Sequence, residues 1–208
     1  MFESQINDVP TVYIVDDDEG QRELLGSILR SSSFRVQEFS SGEQMLSHCD
    51  RNTQGCVVSD MLMPGMTGLD MQQKMRDKDV NLPVIFVSAY ADVATVKLAM
   101  KLGAVDFFEK PVMTVELISA VKEALTIDSE LRARQTRINH VHEKLNLLSK
   151  RERGVLDLLV SGLSNKQIAT ELNLSLRTVE THRNNILNKM EVGSFNELLR
   201  LLLSIPWQ

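Results

Sequence analysis

Apolar positions in the first 125 residues fall in short runs separated by amphipathic stretches. The runs are Thr11–Val15, Phe34–Phe39, Cys56–Ser59, Pro83–Ser88 and Val105–Glu109. Each is too short for a helix and rich in Val, Ile and Phe, which predicts strands. The stretches between them predict helices near Glu19–Ser31, Gly42–His48, Gly68–Lys78 and Val93–Leu102, with a fifth beginning near Val115. Strand followed by helix, five times over, predicts an α/β doubly wound five-stranded parallel sheet. Such sheets bind ligands at the carboxyl ends of their strands.

From Val115 to about Leu148 the chain has neither Gly nor Pro, and apolar residues recur at Leu117, Val121, Leu125, Leu131, Ile138, Val141, Leu145 and Leu148 around a polar middle, Arg132 to Arg137. One long helix, or two nearly continuous ones, is expected; the heptads are not sustained enough for a full coiled coil. Beyond Leu148 come short helices with clear starts. Ser149 with Glu152 forms a capping box, Gly162 stops that helix, and Ser164 with Gln167 opens the next. Asn173-Leu174-Ser175 is a turn with Ser175 as N-cap; Ser194 or Asn196 starts the last helix and Pro206 ends it. The expected units are 1–125, a helical linker 126–147, and an all-α domain 148–208.

Composition supports a soluble globular chain, with 43% hydrophobic and 25% charged residues. The opening Met1–Gln5 is acidic and lacks the apolar stretch of a secretion signal, and no run is long enough to span a membrane, so a cytoplasmic protein is expected. Cys49 and Cys56 form neither a CxxC nor a metal-ligand spacing and read as plain buried or half-buried thiols. The net charge of -5 conceals an asymmetry: residues 1–125 hold 19 acidic and 11 basic side chains, residues 126–208 hold 9 and 12. An acidic front and a mildly basic back fit two modules, the second near nucleic acid.

Four predicted strand ends carry unusual chemistry: Asp16-Asp17-Asp18, Asp60, Ser88, and Lys110 before Pro111. Two carboxylates about 4 Å apart repel by roughly 4 kcal/mol at an effective dielectric near 20. A hard divalent cation held by oxygens is the natural compensation, and Mg²⁺ (or Mn²⁺) suits a site that keeps waters for a phosphate to displace. A haloacid-type hydrolase also uses a strand-end Asp with Mg²⁺, but that class wants a second Asp two residues on, where this chain has Leu62.

The segments Val15-Asp16-Asp17-Asp18, Val58 through Gly68 around Asp60, Val87-Ser88-Ala89 and Phe107-Phe108-Glu109-Lys110-Pro111 together resemble the response-regulator receiver family, of flavodoxin/CheY-like fold, over about 120 residues. The resemblance implies that Asp60 accepts a phosphoryl group from a sensor histidine kinase. It implies that Asp16, Asp17, Asp60 and the Leu62 backbone carbonyl hold the metal, and that Lys110 offsets phosphoryl charge. Ser88 and Phe107 would be the switch pair, and the Lys110–Pro111 bond would be cis. Asp18 is expected to face solvent or the first helix.

The stretch Leu148–Arg153, then Val155-Leu156, Gly162–Ala169, Leu172 and Thr178–His182 resembles the LuxR/NarL/FixJ-type helix-turn-helix domain over about 60 residues. That implies four helices with the third, near Ser175 to Met190, as recognition helix. Ile168, Ala169 and Leu172 would pack against Val179, Ile186, Leu187 and Met190. Glu180, Thr181 and Asn184 are placed to reach base edges, and Lys166, Arg177, Arg183 and Lys189 to reach phosphates. His182 fits either a phosphate contact or packing against the second helix. Residues 149–208 hold 8 basic and 6 acidic side chains, too modest an excess for strong monomeric binding. The whole resembles FixJ-like regulators of aromatic-compound catabolism, styrene included. It implies a phosphorylation-dependent homodimer that activates promoter DNA, with RNA polymerase as a further partner, no membrane partner, and no enzymatic turnover of its own beyond phosphoryl acceptance and slow loss.

Overall fold

The computed structural model describes residues 10–90 and 92–205. The opening Met1–Gln5, read as no secretion signal, and Pro206, expected to end the last helix, lie outside the described residues. Contacts divide the chain into two compact units, 1–131 and 132–208.

In the first unit, strands β1 (Thr11–Val15), β2 (Arg35–Phe39), β3 (Gly55–Asp60), β4 (Val84–Ser88) and β5 (Asp106–Glu109) alternate with helices α1 (Glu19–Ser31), α2 (Gly42–His48), α3 (Gly68–Asp77) and α4 (Val93–Lys101). Helix α5 (Thr114–Asn146) follows without interruption. The expected strands and helices are all present, with ends displaced by a residue or so. The strand order is β2-β1-β3-β4-β5, all parallel. Period-2 alternation sorts the central strands into two cores. Val12, Ile14, Val58 and Ile85 face Leu25, Leu29, Leu117 and Val121 of α1 and α5. Tyr13, Val15, Val57 and Phe86 face Met45, Met71, Met75 and Ala99 of α2, α3 and α4. Burial on both faces explains why β1, β3 and β4 read as unbroken apolar runs. The order reverses at β1 and β3, and the crevice at their carboxyl ends is where this topology places its ligands.

Within the stretch 126–147, expected as a linker, residues of both units are buried. The Asp128 carboxylate is 3% exposed and accepts the Gly55 N–H at 3.0 Å. Val141 and Leu145 lie in the core of the second unit. Gly55 has φ +131°, and a Cβ there would lie 1.8 Å from the Thr11 carbonyl oxygen. Gly55→Ala is therefore expected to destabilise the first unit by roughly 3 kcal/mol or more. Chemical denaturation checks this, and an unchanged midpoint would contradict it.

The second unit packs α6 (Lys150–Val160), α7 (Asn165–Glu171), α8 (Leu176–Met190) and α9 (Phe195–Leu203) around Leu156, Ile168, Val179, Ile186, Met190 and Leu198. Capping boxes close the starts of α6 (Ser149, Glu152) and α7 (Ser164, Gln167), and Ser175 and Ser194 cap α8 and α9. Gly162 stops the α6 turn at φ +85°. The two cysteines are buried and unpaired, and burial pushes the Cys49 thiol up to about 11 and Cys56 to about 12, so both stay protonated at neutral pH. Among the described residues no helix is long and apolar enough to cross a membrane.

Candidate functional sites

Strand register builds the acidic site. Val15 of β1 lies opposite Ser59 of β3, so the next residues, Asp16 and Asp60, emerge side by side. One oxygen from each of Asp16, Asp17 and Asp60 lies within 4.8 Å of the others. Asp16 is 1% exposed, Asp60 half-buried and Asp17 exposed, so the cluster opens to solvent on one side. Lys110 reaches in from the end of β5, its ammonium 2.7 Å from Asp16 Oδ2 and 3.1 Å from Asp60 Oδ2. Burial pushes the Asp16 carboxyl up against the pull of Lys110 and of the Asp18 N–H, which donates to Asp16 Oδ1 at 2.9 Å. Burial alone would lower Lys110, yet its bonds to Asp16 and Asp60 hold it above its ordinary value, so it is a fixed cation.

Other parts fall into place around this pair. The Leu62 N–H donates to Asp60 Oδ1 at 3.3 Å, which brings the Leu62 backbone next to the acid cluster. Gly68 permits the tight return of this loop: a Cβ there would lie 2.6 Å from the Asp60 carbonyl oxygen. Ser88 ends β4 at 1% exposure, its hydroxyl accepting the Tyr90 N–H at 3.3 Å and its carbonyl accepting the Lys110 N–H at 2.8 Å. Phe107 on β5 is half-buried against the core that contains Phe86. The Lys110–Pro111 bond is cis. Asp18 is the N-cap of α1 and accepts the Gln21 N–H at 2.9 Å. Sequence reasoning missed Arg22, whose Nη1 donates to the Asp16 carbonyl at 2.7 Å and steadies the β1 terminus. An arginine one turn into a helix carries no signal that separates this role from plain solvation.

On α8, Arg177, Glu180, Thr181 and Asn184 are exposed and recur at the spacing of one helix face, while Val179, Ile186 and Met190 are buried on the other. Lys166 on α7 is exposed as well. Two of the residues expected at phosphates also have partners within the fold. Lys189 donates to Glu152 Oε2 at 2.7 Å and to the Leu147 carbonyl at 3.1 Å. Arg183 donates to Asn165 Oδ1 at 2.7 Å, with its guanidinium 5.5 Å from the centre of the Phe195 ring. Long cationic side chains reach either solvent or a nearby acceptor, and here the acceptors are closer. His182 is half-buried with Nδ1 enclosed.

A family model of the response regulator receiver domain matches residues 12–122, and one of bacterial regulatory proteins of the luxR family matches 146–202. The chain therefore belongs to the two-component response regulators with a LuxR-family DNA-binding domain, which are transcription factors and not enzymes. It is 40% identical to the response regulator protein TodT of Pseudomonas putida over 190 residues, 91% of this chain and 84% of TodT. It is 38% identical to the transcriptional regulatory protein FixJ of Rhizobium meliloti over 194 residues, 93% and 95% of the two chains. Among solved structures it is similar to the response regulator StyR, with TM-score 0.83, 37% identity, and 94% and 98% of the two chains covered.

Proposed function

We propose that phosphorylation of Asp60 by a sensor histidine kinase drives homodimerisation and thereby promoter binding and transcription activation. The observation that carries this reading is the Lys110 ammonium bridging Asp16 and Asp60 at a strand-end acid cluster. In the step itself, an Asp60 carboxylate oxygen bonds to phosphorus while the phosphohistidine N–P bond breaks, and the released imidazole takes up a proton. Lys110 is already charged and lies 3.1 Å from Asp60 Oδ2, so it offsets the incoming negative charge without rearrangement. Asp16 holds that ammonium in place from the other side.

The donor set fits Mg²⁺ or Mn²⁺: three carboxylates share a small opening, and hard oxygen ligands select hard cations. Asp16, Asp17, Asp60 and the Leu62 carbonyl would hold the ion. When bound, it supplies charge neutralisation for the phosphoryl oxygens. Ser88 gives up its hydrogen bond from Tyr90 to meet a phosphoryl oxygen, and Phe107 follows it inward. A phosphoryl group brings about -1.5 to -2 charge and three acceptors, enough to bias such a two-state pair. The fourth helix and fifth strand then form the dimer surface.

On DNA, Glu180, Thr181 and Asn184 read base edges in the major groove, while Lys166 and Arg177 bind phosphates. Promoters of aromatic-compound catabolism, styrene included, are the targets we propose, from the likeness to catabolic FixJ-like regulators. The protein acts in the cytoplasm, with RNA polymerase as a further partner. The domains in this reading are a receiver over 1–125, a helical linker over 126–147 and the DNA-binding domain over 148–208.

Promoter-fragment binding tests the DNA half of the reading. Lys166→Ala is expected to weaken binding to all sequences alike and to reduce the salt slope by about 1. Glu180→Ala is expected to relax base choice at one position, worth about 1–3 kcal/mol, with the salt slope unchanged. A Lys166 variant with an unaltered slope would remove that lysine from the interface.

A further inference from the structure

An open cleft of about 520 Å³ runs across the second unit between the turn from α6 to α7, one side of α8 and the start of α9. Lys166 and Glu180, read above as DNA contacts, both line it, and so do Asn165, Leu176 and Arg183.

Asn165 is the polar member that the reading above leaves without a task. It is the first residue of α7 and is half-buried. Its Oδ1 accepts from Arg183 Nη1 at 2.7 Å. A guanidinium carries donors and no acceptor, so the amide atom that meets it is the oxygen. The amide nitrogen is thereby turned away from Arg183. Among the described residues it has no hydrogen-bond partner. Unlike Gln72 Oε1 and His182 Nδ1, it is not enclosed. Arg183 is itself held by this bond and by the Phe195 ring, whose centre lies 5.5 Å from the guanidinium. The orientation of the Asn165 amide is thus set from within the fold, and its N–H donors are left unused. The neighbouring Ser164 hydroxyl is already spent on the cap, donating to Gln167 Oε1 and accepting the Gln167 N–H.

We propose that Asn165 is a further DNA contact: its amide donates to a backbone phosphate that runs past Lys166, and Arg183 is the residue that positions it. This rests on the reading of Lys166 and Glu180 given above. An asparagine amide can donate to a phosphate oxygen as a lysine does, but being neutral it releases no counterion. The contact therefore fixes the register of the unit on the duplex and adds neither salt dependence nor base choice. Arg183, expected at a phosphate from its charge, acts through the neighbour that it orients.

The test uses the full-length protein with acetyl phosphate and Mg²⁺, a duplex selected by the parent chain from a random pool, and a scrambled duplex of equal length. Asn165→Asp keeps the oxygen that meets Arg183 and puts a second, charged oxygen where the NH₂ was. An acid in the first turn of a helix and beside a guanidinium favours the fold, so the thermal midpoint should be no lower than the parent's. Binding to both duplexes should nevertheless weaken about tenfold or more. Asn165→Ala should weaken both about three- to tenfold at an unchanged salt slope, which separates a neutral donor from Lys166. Arg183→Gln should weaken binding in the parent chain and add nothing in the Asn165→Ala background, a dependence that support of the fold alone would not give. Parental affinity in Asn165→Asp, a salt slope that falls by about 1 in Asn165→Ala, or full additivity of Arg183→Gln would each overturn the proposal. An unaltered slope in Lys166→Ala would instead remove the DNA face on which it rests.

Discussion

A chain carrying Asp60→Asn takes up no phosphoryl label from acetyl phosphate or from a sensor kinase, a drop from near-stoichiometric to background. The amide that replaces the carboxylate has no nucleophilic oxygen anion, and no neighbour can substitute. Asp16 is 1% exposed and its carboxylate is engaged by Lys110 and by the Asp18 N–H. Asp17 is exposed, but it leaves the opening strand one residue beyond Asp16 and lacks the Lys110 contact. The fold survives the change, because Lys110 keeps its bond to Asp16 at 2.7 Å. Acid-labile label, quantified after gel separation, checks this. Acid-stable label at another residue in the variant would move the acceptor elsewhere.

Glu152→Ala is expected to loosen the DNA-binding unit by about 3 kcal/mol, because it removes at once the buried acceptor that closes the α6 cap and the charged partner of Lys189. Glu152 is the third residue of α6 and closes its capping box with Ser149, accepting the Ser149 N–H at 2.8 Å while also pairing with Lys189. Burial pushes this carboxyl up, but Lys189 and the Ser149 N–H together hold it down at about 2, against an ordinary 4.5. A group whose folded value is depressed stabilises fully above its unfolded value. The stabilisation is therefore complete above about pH 4.5 and is lost as pH falls towards 2, on the order of 2–3 kcal/mol in all. Glu152→Gln keeps an acceptor for the cap and loses the charge, so it should fall between the parent and the alanine variant. Hydrogen exchange in α6 and α8 of the full chain reads this directly: roughly hundredfold faster for the alanine variant at neutral pH. If the parent and Glu152→Gln lose protection in parallel between pH 4.5 and 2, the pair with Lys189 is not the cause.

Much of the receiver was legible because its chemistry sits at strand ends. A parallel sheet forces those ends together, so Asp16, Asp60, Ser88 and Lys110, far apart in sequence, become neighbours once the strands are recognised. The short helices of the second unit were legible for a different reason: Ser149, Ser164 and Ser175 each start one with a side chain that accepts a backbone N–H. What escaped were the partners of long or isolated polar side chains. Lys189 and Arg183 carry the same charge as Lys166, and nothing in residue type or helical spacing tells which will find an acceptor within the fold. Arg22 and Asp128 escaped likewise, since each bonds a backbone atom outside its own helix. The Gln72 Oε1 atom, buried without a hydrogen-bond partner among the described residues, was invisible because an unmatched acceptor is defined by what surrounds it.

Sedimentation of the full-length protein with Mg²⁺, before and after acetyl phosphate, bears most directly on the claim that a phosphoryl group at Asp60 drives pairing. The account predicts a shift from monomer towards dimer on phosphorylation, absent in Asp60→Asn, with promoter-fragment affinity rising in step. Identical sedimentation of the phosphorylated and unphosphorylated chains, with the acyl phosphate verified in the same sample, would contradict it.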